Sequence, residues 1–260
     1  MARRRSDSGL LTISGITLSR GLMEERRKEN NRMKEMIKIT SYSLFFYFLF
    51  SFAQSVAQNN VWRDSLATLN SEIKKNPGST DLRLKKAAVN IELNQWEYAV
   101  EEYGNVLRLE PKSLAALYFR AYAYMHLRQY AQAKADYETF LSVAPVHMEA
   151  RLGLATVNEK MGRLTDATDE LNRLVEMFPD SAMVWAARAS FETTRQQYDM
   201  ALYDWGEAIS REPLNVDYVA SQTDVLLALG RRDEARKQLE AAIDRGIPRG
   251  VLREWIARCK

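Results

Sequence analysis

The sequence predicts an all-α fold, a solenoid of helix-turn-helix units stacked in a row, and three observations predict it. Prolines stand at Pro77, Pro111, Pro145, Pro179 and Pro213, each 34 residues after the one before. Alanine recurs in phase with them, at Ala99, Ala133, Ala167, Ala201 and Ala235, and again twelve residues earlier at Ala87, Ala121, Ala155 and Ala189, with Thr223 in that place in the last unit. Bulky side chains fill the neighbouring columns: Trp96, Tyr130, Leu164 and Tyr198 in one, and Tyr103, Tyr137, Leu171, Trp205 and Leu239 in another. A period of roughly 20 to 50 residues is the mark of a repeat architecture. Large and small groups at helical spacing let two helices interlock, ridge into groove.

Each element follows from its own residues. Before Pro77, the stripe Trp62, Leu66, Leu69 and Ile73 predicts an N-terminal capping helix within residues 58–79, the lone second helix of an incomplete unit. Five units follow over residues 80–248. Inside each, the turn falls at Asn94, Arg128, Gly162, Gln196 or Gly230; Asn and Gly tolerate the left-handed conformation that ends a helix. The proline ends the second helix, because it pushes the residue before it out of the α conformation. Caps for the next helix are expected at Thr80 or Asp81, at Asp180 or Ser181, and at Asn215, whose side-chain oxygens accept from orphan amides. The last unit departs from the pattern, with Thr223 in an alanine column, Arg232 in an aromatic one and Pro248 one residue late. Terminal repeats are commonly atypical because one face meets solvent. Residues 249–260 then predict a capping helix with Val251, Leu252, Trp255, Ile256 and Cys259 on one face, Cys259 acting as a small buried hydrophobe.

The amino-terminal part has a different character. Lys34 and Lys38 precede the uncharged run YSLFFYFLFSFA, Tyr42 to Ala53, and Ser55 and Ala57 follow as small residues, with a cut expected before Gln58. That is the order of a cleavable export signal, and the run of twelve is shorter than the roughly 20 residues needed to span a bilayer. A start at Met33 or Met36 gives a leader of ordinary length, so residues 33–57 are expected to be a signal peptide and residues 1–32 a disordered upstream extension. The expected location is the periplasm of a bacterium, or outside the cell.

Charge and chemistry narrow the function. Of 37 Lys/Arg and 34 Asp/Glu, residues 1–57 hold ten and five, leaving 27 basic and 29 acidic side chains in residues 58–260, a net charge of −2. A near-neutral body argues against nucleic acid as a partner. Cys259 is the lone cysteine, and His126 and His147 are the two histidines, too few for a Cys/His metal site. No Gly-rich phosphate loop, nucleophile elbow or metal-spaced histidine pair occurs, so neither an enzyme nor a cofactor is expected. The acids Asp166, Asp169 and Glu170 are expected on solvated outer surface.

In repeat length, small-residue columns, aromatic columns and closing proline, the chain resembles the tetratricopeptide repeat, most closely over LYFRAYAYMHLRQYAQAKADYETFLSVAP, Leu117 to Pro145. The resemblance implies a right-handed α-solenoid that binds a protein or peptide on its concave face. It implies that the fifth, ninth and twelfth positions of each unit face that groove: Leu84, Ala88 and Ile91; Tyr118, Tyr122 and Met125; Leu152, Thr156 and Glu159; Ala186, Ser190 and Thr193; Ala220, Asp224 and Leu227. Family members that grip a chaperone's terminal carboxylate carry lysine at the fifth position and asparagine at the ninth, and this chain has neither there. Two other roles compete, an architectural subunit of an envelope complex that uses the convex face or edges, and an RNA-binding helical repeat protein.

Overall fold

The computed structural model describes residues 60–260. The expected extension at 1–32 and leader at 33–57 lie outside the described residues. The chain divides into a unit Met1–Asp64, of which 60–64 are described, and a unit Ser65–Lys260. Helix α1 runs over residues 60–75, and its apolar stripe Leu66, Leu69 and Ile73 is half-buried.

Five helical hairpins follow: α2 (Thr80–Glu92) with α3 (Trp96–Leu109), α4 (Leu114–His126) with α5 (Tyr130–Val143), α6 (Met148–Lys160) with α7 (Leu164–Met177), α8 (Ala182–Thr194) with α9 (Tyr198–Arg211), and α10 (Val216–Ala228) with α11 (Arg232–Asp244). A short α12 (Arg253–Arg258) closes the chain, and no strand occurs among the described residues. From α2 onward each helix packs on its neighbour in sequence, and the first helices α2, α4 and α6 also touch in turn. That is an α-solenoid, as the period predicts.

The alanine columns explain the close crossings. Ala99, Ala133, Ala167, Ala201 and Ala235 are each 0% exposed, and Thr223 in the other column is equally buried. The Thr223 hydroxyl donates to the Val219 carbonyl at 2.7 Å, which satisfies it without a partner outside its own helix. The columns that begin at Tyr103 and end at Leu239 are buried beside them.

All five inner turns adopt the left-handed conformation, including the two that glycine and asparagine do not occupy: φ is 55° at Asn94, 57° at Arg128, 59° at Gln196, 74° at Gly162 and 72° at Gly230. Each carries the same pair of backbone bonds. At the second turn, Arg128 N–H donates to Met125 O at 3.0 Å and Gln129 N–H to Tyr124 O at 2.8 Å, which satisfies carbonyls the helix leaves orphaned.

The caps correct the sequence reading in part. Ser79, not Thr80 or Asp81, caps α2, its hydroxyl accepting from Leu82 N–H at 3.3 Å. Ser181 stands at the start of α8, but its hydroxyl approaches Met148 Sδ at 3.5 Å and caps no amide. Asn215 caps α10 as expected. His147 caps α6, its Nδ1 accepting from Ala150 N–H at 3.2 Å, a role the residue type does not advertise.

Glu170 is not solvated: its side chain is 13% exposed and meets Arg151 at 2.7 Å and Arg173 at 3.0 Å. It belongs to a column 34 residues apart, Glu102, Asp136, Glu170 and Asp204, on the second helices. Each member meets an arginine from the first helix of its own hairpin: Arg83, Arg120, Arg151 and Arg188. Arg120 and Arg188 hold their aspartates through two nitrogens each. Of the expected outer acids, Asp169 is exposed, while Asp166 pairs with Arg163 at 2.6 Å.

At the carboxyl end, Leu252 and Cys259 are buried, and Trp255 and Ile256 are half-buried against the last hairpin. Val251 instead is 49% exposed, because α12 starts only at Arg253 and Val251 lies in the turn before it.

Candidate binding surface

The first helices α4, α6 and α8 stand side by side in the stack, and two cavities open along them. One, of about 460 Å³, is lined from α4 by Tyr118, Tyr122, Met125 and His126, from α5 by Tyr137, from α6 by Glu149, Leu152, Gly153 and Thr156, and from α8 by Met183. The other, of about 270 Å³, is lined by Leu152, Ala155, Thr156 and Glu159, by Leu171, and by Ala187, Ser190 and Phe191. Leu152 and Thr156 border both. The seven residues Tyr118, Tyr122, Met125, Leu152, Thr156, Glu159 and Ser190 thus all line one or the other cavity.

Tyr118 and Tyr122 lie four apart on α4 and so share a face, but the structure gives them different surroundings. Tyr118 is half-buried, its ring 6.0 Å from both Tyr137 and Phe140 and 5.9 Å from His147, centroid to centroid. Burial, then the Glu149 carboxylate, push its phenol above the ordinary tyrosine pKa. Tyr122 is 40% exposed and stands edge-on to His126 at 4.7 Å and to Trp96 at 6.0 Å. His126 in turn lies flat on Trp96, with centroids 3.8 Å apart and planes 1° from parallel.

Some expected groove positions do not reach the surface. Ala186 is 8% exposed and Ala220 7%, buried by the neighbouring hairpins. Asp224 accepts from Trp255 Nε1 at 3.2 Å and Arg258 Nη1 at 2.7 Å, so α12 occupies it. In return, His126, Tyr137, Glu149, Gly153 and Met183 join the first cavity without having been expected there. For Glu149 the signal was present: with Leu152, Thr156 and Glu159 it makes one continuous stripe on α6.

Glu149 holds no cation. Its Oε2 lies 3.4 Å from His147 Nδ1, but that nitrogen accepts the Ala150 N–H and therefore carries no proton to share. Among the described residues no group of His, Cys, Asp and Glu could hold a metal ion, and no helix is long and apolar enough to cross a membrane.

A third cavity, of about 320 Å³, lies between α8 and α9, lined by Arg188, Glu192, Asp199, Met200, Tyr203 and Asp204. Glu192 is 4% exposed. Burial, then the Asp204 carboxylate, raise its pKa to about 7 against the opposing pull of Arg188 and Arg195.

Residues 120–182 match the family model described as tetratricopeptide repeat. That match spans the segment from α4 to the start of α8, and the hairpins on either side of it share the same fold. Among solved structures it is similar to a tetratricopeptide repeat protein from Parabacteroides merdae ATCC 43184, at 20% identity over 78% of this chain and 79% of that one, with a TM-score of 0.58. It is similar to YrrB, described as a TPR protein with an unusual peptide-binding site, at 21% identity over 68% and 91%, TM-score 0.51. It is also similar to MamA from Desulfovibrio magneticus RS-1, at 16% identity over 64% and 93%, TM-score 0.56. At these identities the likeness concerns the fold alone. No curated protein matches the chain.

Proposed function

We propose that this protein is a non-enzymatic scaffold that holds an extended peptide or a partner's helix along α4, α6 and α8. The observation that carries the reading is the pair of adjoining cavities, which share Leu152 and Thr156 and offer apolar walls with a few polar groups. Repeat solenoids use such continuous faces for partners. The peptide-binding site in the description of YrrB is consistent with this use. The seat of action is the cell envelope, a reading supported by the charged, apolar and small-residue order of residues 34–57.

Photo-crosslinking in cells from position 122, with Gln132 on α5 as an exposed control, tests the first point. Capture from position 122 and not from 132 is expected; capture from 132 alone, or from neither, would instead favour an architectural role through the outer face. The mass of the mature protein tests the second, with a chain beginning at Gln58 expected.

A further inference from the structure

We propose that the first cavity is a receptor for a cationic side chain, an arginine or lysine presented by the bound partner; this rests on the groove reading above and specifies its chemistry. The walls are aromatic, with Tyr118, Tyr122, Tyr137 and His126 around one space. Phenol rings carry negative charge on their faces, which attracts a cation placed over them, and arginine's planar guanidinium also stacks there. Met125 and Met183 add polarizable, adaptable walls.

Charge decides between a cationic and a merely apolar guest. Glu149 is the cavity's charged lining residue, and neither lysine nor arginine contributes to its wall. Elsewhere in the protein, half-buried and buried carboxylates such as Glu170 and Asp204 are already matched by arginines of their own hairpins. Glu149, whose side chain is 52% exposed at the edge of the cavity, has no such partner, since the imidazole beside it is committed to capping α6. The stripe continues along α6 to Glu159 in the adjoining cavity, whose nearest ammonium, Lys160 Nζ, is 3.9 Å away. A carboxylate at the mouth of a ring-lined space, without a cation of its own, suits a guest that brings one.

The test uses the full chain with its methionine methyl groups labelled with carbon-13, Met125 and Met183 being assigned by conversion to leucine. Three blocked tripeptides are titrated, Ala-Arg-Ala, the same peptide with citrulline, which keeps the shape and loses the charge, and the same with leucine. The arginine peptide is expected to shift the Met125 and Met183 resonances and to bind about fivefold or more tightly than citrulline. Glu149→Gln should remove most of that preference while leaving the circular dichroism spectrum unchanged. If citrulline or leucine binds there as well as arginine, the cationic receptor is overturned and the groove reading stands. If none of the three moves either methyl, both are overturned.

Discussion

The Cα of Gly153 faces the ring of Tyr137 so closely that a Cβ at that position would lie 2.5 Å from Cζ and 2.7 Å from Oη. Tyr137 is 3% exposed and packed against Tyr118, so its ring has little room to retreat. Glycine here lets α6 approach α5, and the same absent side chain helps leave the first cavity open. In the preceding unit the corresponding residue is Phe119.

Gly153→Ala should therefore destabilise the protein. Replacing a mid-helix glycine normally gains about 1 kcal/mol, whereas overpacking costs about 1 to 3 kcal/mol. A net loss of up to about 2 kcal/mol is expected in urea denaturation, and it should shrink in a Tyr137→Leu background. A variant more stable than the parent would refute the contact.

Asp204 is 1% exposed and held through two nitrogens of Arg188, at 2.6 Å and 2.9 Å. Removing one partner of such a pair leaves an uncompensated charge, so Asp204→Ala should cost on the order of 3 kcal/mol. Asp81 pairs with Lys85 in open solvent, and Asp81→Ala should leave the melting temperature where it is. Equal effects of the two variants would count against the buried seam as a source of stability.

Glu192 gives stability a pH dependence. Its carboxyl titrates near 7 in the folded chain against 4.5 for an ordinary glutamate, so the folded state binds the proton more tightly than the unfolded one. Its contribution is therefore most favourable below pH 4.5, declines as the pH rises toward 7 and is flat above that. Glu192→Gln removes this penalty. The variant should exceed the parent in stability by on the order of 2 to 3 kcal/mol at pH 8, with the gap narrowing toward pH 4.5. A gap that does not change with pH would mean that Glu192 titrates normally.

How much of this was legible depended on whether a column speaks for itself. Prolines and alanines do, because each has one dominant steric consequence wherever it stands, and from them the hairpins and their crossings follow. The acidic column Glu102, Asp136, Glu170 and Asp204 repeats just as regularly, but its partners shift along the first helix. Arg83 and Arg151 lie 19 residues before their acids, whereas Arg120 and Arg188 lie 16 before theirs. No single spacing announces the seam. The cavity was half legible for a similar reason: the tyrosines and the α6 stripe can be read from helical spacing, whereas the space between them depends on a glycine one unit along from a phenylalanine.

Arg128 has φ of 57° and Gln196 of 59°, a conformation that strains a side chain and suits glycine. The turn's backbone bonds impose it whatever residue stands there. Arg128→Gly and Gln196→Gly should each raise stability by up to about 1 kcal/mol, and Gly162→Ala should lower it by a similar amount. Thermal unfolding of the three variants checks this, and a loss in both glycine variants would show that those side chains make contacts that outweigh the strain.

Tyr118 and Tyr122 should separate stability from binding. Tyr118 contributes to a ring cluster with Tyr137, Phe140 and His147, so truncating it opens a void, and Tyr118→Ala should cost about 2 to 4 kcal/mol of folding stability. Tyr122 is 40% exposed and leans on His126, which remains stacked on Trp96 without it. Tyr122→Ala should thus unfold close to the parent in urea. If the groove is the binding surface, the same substitution should weaken a partner captured at position 122 by about 1 to 3 kcal/mol, the range of an aromatic anchor. Full affinity in a folded Tyr122→Ala protein would remove that residue from the interface, and a large loss of stability would place its ring in the core instead.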